Sequence, residues 1–183
     1  MATAYRYTLF QRSLHWLIAL LVVGLLAVGF TFWTLGYEGT VETFGQDMTN
    51  TLYTYHKTFG VLLLALMLLR LVLRRVTPPP AYEKPLTGFE KIAAGGVHLL
   101  LYGLLLAIPI GGWLATAAGG YPVEFFAWEL PGFIGKNEAL SAQLFMVHGY
   151  AGLVVALLLV LHIGAGLKHW KQKDGVMRRI SLP

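Results

Sequence analysis

The chain contains no cysteine among its 183 residues. Disulfide bonds, iron–sulfur clusters, thiolate redox chemistry and covalently attached c-type haem all need cysteine side chains, so this absence excludes each of them. Any redox or metal centre in this protein must therefore be held by other ligands.

Charged residues are also scarce. They make up 13% of the chain against 56% hydrophobic residues, and the mean hydropathy is +0.62. Because soluble domains carry about 25% charged residues, this composition indicates a membrane protein.

Four apolar runs are each long enough to cross a hydrocarbon core, which needs about 20 helical residues. They cover approximately residues 13–33, 52–73, 93–118 and 142–167. The first run is too long for the apolar region of a signal peptide and no small-residue cleavage site ends it, so we expect it to stay in the mature protein. We predict an all-α membrane protein, a four-transmembrane-helix bundle that forms a single domain over residues 1–183.

Lysine and arginine are unevenly distributed between the connections. Most lie in the N-terminal arm, between the second and third runs, and in the tail: Arg6, Arg12, Arg74, Arg75, Lys84, Lys91, Lys168, Lys171, Lys173, Arg178 and Arg179. The other two connections hold only two lysines, Lys57 and Lys136, beside the acidic residues Glu38, Glu42, Asp47, Glu124, Glu129 and Glu138. Since cytoplasmic segments carry the positive excess, we expect both termini in the cytoplasm. The net charge of +5 then reflects topology and contact with membrane lipid, and does not indicate nucleic-acid binding.

The two longer connections differ in character. Pro78, Pro79 and Pro80 should end the second helix, because successive prolines cannot donate backbone hydrogen bonds. The connection from Gly119 to Leu140 is rich in aromatic residues, which favour the headgroup layer, so we expect it to lie flat on the outer surface.

The histidines are spaced in a way that suggests two separate sites. His148 and His162 are fourteen residues apart on one apolar run, which places them within about 40° on one helix face and about 21 Å apart along it. In the outer half the only other histidine is His56, so by elimination an outer centre would use His56 and His148. The inner half is ambiguous, because it contains His15, His98, His162 and His169.

The residue four positions after each histidine narrows the inner choice. A flat macrocycle needs little bulk one turn beyond its ligand, and residues i and i+4 share a helix face. These positions are small after four histidines, at Ala19, Gly60, Gly152 and Gly166, but bulky after His98 and His169, at Tyr102 and Lys173. This selects His15 and His162 for the inner centre, with Gly60 and Gly152 as candidate cofactor contacts. His169 is then better explained as part of an interfacial helix end, whereas His98 could hydrogen-bond across helices or meet a cofactor carboxylate.

The ligand pattern fits haem iron better than zinc. Zinc usually takes four clustered Cys, His or carboxylate ligands, whereas two histidines on facing helices match the axial positions of a haem. Two imidazoles leave no open position for oxygen, which favours electron transfer. Arg70 lies fourteen residues after His56, at the depth of the inner centre, and Arg74 follows one turn later. Either arginine could pair with a haem propionate or extend its head towards the inner headgroups.

The chain resembles the bacterial cytochrome b561 family, which is related to the cytochrome b subunits of nickel hydrogenases and formate dehydrogenases. The matching features are Ser13-Leu14-His15-Trp16, His56 with Gly60, Arg70 and Arg74 before the prolines, His98 with Tyr102, the segment from Phe125 to Pro131, and His148 with His162. The resemblance implies two b-type haems. The outer one would join helices two and four and the inner one helices one and four, which agrees with the pairs reached from spacing.

The resemblance also implies a function. Stand-alone members move electrons between a periplasmic donor and the quinone pool, and one known activity is oxidation of superoxide with reduction of ubiquinone. The acidic outer connections would slow the approach of an anion such as superoxide. A cationic donor protein suits them better, and solvated acidic loops without a partner are the simplest explanation.

We therefore predict a multi-pass di-haem b-type cytochrome of the bacterial inner membrane. It would transfer electrons between a periplasmic donor, with superoxide as one candidate, and ubiquinone or menaquinone. The alternative is a cytochrome b anchor subunit of a membrane-bound hydrogenase or dehydrogenase, and a third interpretation is a haem-free bundle. The sequence contains no separate constellation of acid, base or nucleophile, so a quinone-linked oxidoreductase would act at a haem edge or at bound quinone.

Overall fold

A computed structural model describes residues 5–182 and shows a mostly helical chain. Its elements in order are α1 (Leu9–Phe44), α2 (Gln46–Val76), α3 (Gly88–Ala118), β1 (Val123–Phe125), β2 (Trp128–Leu130), α4 (Glu138–Gln172) and a final 3-10 turn (Met177–Arg179). Each predicted apolar run lies within one of the long helices. Every helix extends beyond the run that predicted it, because its ends are polar.

Side-chain caps fix where the helices begin. Thr8 and Gln11 form a reciprocal capping box at the start of α1, and Thr87 and Glu90 form another at the start of α3. The Asn137 side chain caps α4 by accepting a hydrogen bond from the Leu140 amide. These side chains satisfy backbone amides that the first helical turn leaves without partners. As predicted, the prolines follow the end of α2.

A backbone break divides α1 near its outer end. Gly36 has φ 66° and ψ −174°, a conformation that glycine adopts readily and other residues rarely do. The apolar run ends at Trp33, so the break follows directly where the sequence turns polar. Gly45 then connects α1 directly to α2, with φ 79°.

The mostly helical architecture is confirmed, and the aromatic connection after α3 adds a short hairpin that the sequence did not predict. Residues 123–130 form an antiparallel hairpin in which Val123 pairs with Leu130 and Phe125 with Trp128. Valine, phenylalanine and tryptophan favour extended backbone, and the segment is too short to reveal its alternation in the sequence.

The hairpin is attached to the outer end of α2. Lys57 forms an ion pair with Glu124 and donates a hydrogen bond of 3.2 Å to the Pro122 carbonyl. The buried Thr58 hydroxyl donates to the Glu124 carbonyl and accepts from the Phe126 amide, each at 3.4 Å. These contacts hold the hairpin directly beside His56.

A band of apolar side chains fills the middle of the bundle. Its buried members come from all four helices: Leu14, Ile18, Val22, Leu63, Met67, Leu101, Leu105, Val155 and Leu158. α1 packs mainly on α2, α2 also on α3, and α3 on α4, whereas α1 and α4 meet along a narrower seam. The apolar band therefore separates the outer part of the bundle from its inner part.

Three helices, α1, α3 and α4, are long and apolar enough to cross a membrane by length and composition. α2 has 31 residues but is less apolar, because it begins with a polar turn and ends with Arg70, Arg74 and Arg75. Many large apolar side chains point outward along the helices, including Leu20 at 72% exposure and Leu99 at 73%. Such extensive apolar exposure is suited to contact with lipid.

The C-terminal segment folds back over the inner end of the bundle. The Arg179 guanidinium is buried, lies 3.7 Å from the centre of the Tyr82 ring, and donates to the Pro80 carbonyl. The Tyr7 amide donates to the Arg179 carbonyl at 3.1 Å, and the Trp16 indole donates to the Ile180 carbonyl at 3.0 Å. This segment therefore joins the start of α1 to the proline connection.

Replacing Arg179 by alanine should lower the free energy of unfolding by about 2–3 kcal/mol, because it removes a desolvated cation–π contact and the charged hydrogen bond to the Pro80 carbonyl. The measurement is denaturant-induced unfolding in detergent micelles. Arg178→Ala is the matched control, since the Arg178 side chain is 75% exposed and pairs with Glu83 only at 3.5 Å. Equal destabilisation by the two variants would contradict the structural role given to Arg179.

Candidate functional site

The outer histidine pair lies between α2 and α4. The rings of His56 and His148 have centres 6.2 Å apart and planes inclined by 70°. They line a cavity of about 630 Å³, including the space at its open side, to which all four helices contribute. Apart from the two imidazoles, the wall is almost wholly apolar, as is usual for sites that bind organic cofactors.

A hydrogen bond to α3 orients His148. Its Nδ1 lies 3.1 Å from the Ile108 carbonyl, and since a carbonyl only accepts, Nδ1 must carry the proton. The other nitrogen, Nε2, is then left with a free lone pair, which is the form in which histidine binds metals.

Gly112 makes room for this hydrogen bond. A Cβ atom added at Gly112 would lie 2.9 Å from Cε1 and 3.1 Å from Nδ1 of His148. Sequence reasoning missed Gly112 and Ile108, because their contact with His148 spans two helices and leaves no local pattern.

His56 is held by packing. Its Nδ1 is buried and has no hydrogen-bond partner among residues 5–182, and its ring packs edge-on against Phe32 with the centres 5.7 Å apart. A buried polar atom without a partner costs about 1–3 kcal/mol. A ligand bound at this histidine would have to offset that cost.

The glycines selected from sequence border open space. A Cβ added at Gly60 would meet no atom within 4 Å, and one added at Gly152 would meet only Leu26, at 3.9 Å. Both glycines line the outer cavity. The space one turn beyond His56 and His148 is therefore clear, as the i+4 argument expected.

The inner part of the bundle brings together three histidines. The centres of the His15 and His162 rings are 6.2 Å apart, with planes inclined by 72°. The His98 ring lies closer to His162, at 5.2 Å. The sequence left two roles open for His98, and the structure places it beside the predicted inner pair.

Arg70 and Arg74 meet around Tyr102 near the inner pair. The Arg70 Nε donates to the Tyr102 hydroxyl at 3.0 Å, and the Arg74 guanidinium carbon lies 5.7 Å from the centre of that ring. Among the described residues neither arginine forms an ion pair with a carboxylate. Both line a second cavity, of about 340 Å³, with Tyr7 and Gln11.

His169 lies away from both pairs, at the end of α4. Its Nδ1 is 2.5 Å from a carboxylate oxygen of Asp174. Burial alone would raise the pKa of Asp174, but hydrogen bonds from His169 and the Val176 amide outweigh it, so the pKa is lowered. This pairing agrees with the interpretation of His169 as a helix-end residue.

Residues 6–181 match the family described as prokaryotic cytochrome b561. The chain belongs to this family. Membership means membrane-bound electron transfer and implies b-type haem. The resemblance seen in the sequence is therefore confirmed.

Several relatives in the family match the chain over nearly its whole length. Cytochrome b561 homolog 2 of Escherichia coli (strain K12) is 31% identical, over 97% of this chain and 92% of the relative. Cytochrome b561 homolog 1 of the same strain is 26% identical, over 96% of each. A protein of Yersinia pestis named probable superoxide oxidase CybB is 25% identical, over 96% of this chain and 95% of that protein.

If His148 holds haem, as the sequence predicts, replacing Gly112 by alanine should weaken haem binding, because the new methyl group would push the His148 ring off the Ile108 carbonyl. The measurement is the haem bound per chain during reconstitution, followed by absorbance. Gly111→Ala is the matched control, since a Cβ there would meet nothing within 4 Å. Full haem binding by Gly112→Ala would show that haem binding does not depend on this hydrogen bond.

Proposed function

We propose that this chain is a di-haem b-type cytochrome that carries electrons across the bacterial inner membrane, between a donor on the periplasmic side and the quinone pool. The observation that supports it most directly is the presence of two histidine pairs with the same ring separation, 6.2 Å, one on each side of the apolar band. Bound haem would supply one-electron redox chemistry at each pair.

The ring separation fits two imidazoles that would both bind one iron. A metal–nitrogen bond of about 2.0 Å and a distance of about 1.15 Å from each nitrogen to its ring centre would put the centres about 6.3 Å apart. His56–His148 and His15–His162 are within about 0.1 Å of this value at 6.2 Å, whereas His98–His162 is too close at 5.2 Å. This favours His15 over His98 as the partner of His162.

Each histidine in the proposal has a defined role. His148 presents Nε2 as a ligand because Nδ1 is committed to the Ile108 carbonyl, and His56 faces it from α2. His56 and His148 would hold one haem between them, and haem bound by two imidazoles would supply electron transfer and not oxygen activation.

Arg70 and Arg74 would neutralise haem propionates at the inner site. A carboxylate in an apolar bundle is costly unless it is paired, and these guanidiniums have no acidic partner among the described residues. Tyr102 orients Arg70 through its hydroxyl.

The proposal needs α2 to cross the membrane together with the other three long helices. Its 31 residues span about 46 Å as a helix, more than the core of about 30 Å requires. Arg70, Arg74 and Arg75 lie at its inner end, where long side chains can reach the headgroups. Both termini would then face the cytoplasm, as the distribution of positive charge favours.

Replacing His148 by alanine should reduce the bound haem from two per chain to about one, because it removes a ligand of the outer pair only. Haem and protein are quantified on the purified variant. His169→Ala is the matched control on the same helix and should keep full haem content, since His169 pairs with Asp174. Two haems per chain in His148→Ala would overturn the ligand assignment.

The outer surface bears on the identity of the donor. The Yersinia pestis relative is named a probable superoxide oxidase, so superoxide is a candidate donor here. However, Lys57 is paired with Glu124 and Lys136 with Glu138. The outer lysines therefore offer no free positive charge to attract an anion, and we propose a neutral or cationic donor.

Glu124→Gln should raise the rate at which superoxide reduces the bound haem by about 3- to 10-fold, because it releases Lys57 from its ion pair. Stopped-flow absorbance with an added superoxide source measures this rate. Glu129→Gln is the matched control. Glu129 lies opposite Glu124 across the hairpin but forms no ion pair among the described residues. An equal rise in both variants would mean that net charge, not Lys57, controls the approach of superoxide.

A further inference from the structure

The residue after the outer ligand His148 is in unusually close contact with α1. A Cβ atom added at Gly149 would overlap the Cζ3 and Cε3 atoms of Trp33. Among residues 5–182, no other glycine has a side-chain ring so close to the place of its missing Cβ. Position 149 therefore accepts glycine alone while Trp33 remains where it is.

This contact lies in the wall of the outer cavity. Trp33, Gly149 and Gly152 all line it, together with both outer histidines. α1 and α4 pack less extensively than the other neighbouring helices, and Trp33 bridges them at the level of His148. Trp33 is 47% exposed, so its side chain covers the α4 backbone on one side and faces the surroundings on the other.

We propose that Trp33 is a positioning residue that closes the outer cavity between α1 and α4 and keeps water away from the outer haem. The inference rests on the proposed function. Ferric haem carries one more positive charge than ferrous haem, and water stabilises the charged form. Exclusion of water by Trp33 therefore raises the reduction potential of the outer centre.

The first test is a redox titration of the purified holoprotein, following the absorbance bands of both haems. Trp33→Ala and Gly149→Ala should each lower the potential of the outer haem and leave that of the inner haem unchanged. The double variant should match Trp33→Ala alone, because the added methyl group then displaces nothing. Trp33→Phe should give a smaller shift.

Trp128→Ala is the matched control, because Trp128 is an exposed aromatic residue of the outer hairpin, which does not line the cavity. It should change neither potential. Unchanged potentials in Trp33→Ala and Gly149→Ala, or additive shifts in the double variant, would overturn the proposal.

A second measurement does not depend on haem. Val155 lines the cavity and is only 1% exposed, and the natural chain has no cysteine, so Val155→Cys provides a single thiol inside the site. A membrane-impermeant maleimide should label this thiol several-fold faster when Trp33→Ala is added. Equal labelling rates with and without Trp33→Ala would overturn the proposal that Trp33 closes the cavity. This comparison holds even if the Trp33→Ala variant loses the outer haem. A wild-type protein that binds no haem would refute the proposed function, and the labelling rates would still decide whether Trp33 closes the cavity.

Discussion

An imidazole buried in an apolar bundle must find partners for two nitrogen atoms, and this requirement governs the arrangement of the helices. In His148, one of these nitrogens, Nδ1, donates a hydrogen bond to the Ile108 carbonyl. His56 Nδ1 has no partner among residues 5–182, and the rings of His56 and His148, like those of His15 and His162, lie with their centres 6.2 Å apart. Because one residue of rotation turns a helix by about 100°, a shift of α1, α2 or α4 by one residue would separate these rings.

The parts of the fold that depend on local patterns could be read from the sequence. The apolar runs predicted the long helices, since length and composition are properties of a single segment. The spacing of His148 and His162 predicted two levels, because helical rise is fixed. The glycine after each outer histidine indicated clear space, and Gly60 and Gly152 do border it.

Features that depend on contacts between distant segments were beyond the sequence. His98 lies beside His162 although Tyr102 follows one turn later, because helix rotation and not local bulk decides which rings meet. The hairpin is held by Lys57 and Thr58 of α2, far away along the chain. The break at Gly36 is one glycine among 21 and carries no distinguishing signal.

The connection at Gly45 has a consequence for the way the bundle can open. One residue separates α1 from α2, so their outer ends cannot move apart, and the hairpin ties α2 to the chain between α3 and α4. In the part of the chain that the structure describes, the seam between α1 and α4 has no such tether at that end. Separation of these two helices would expose the outer cavity from the side, and the contact of Trp33 with Gly149 is the one that would have to break.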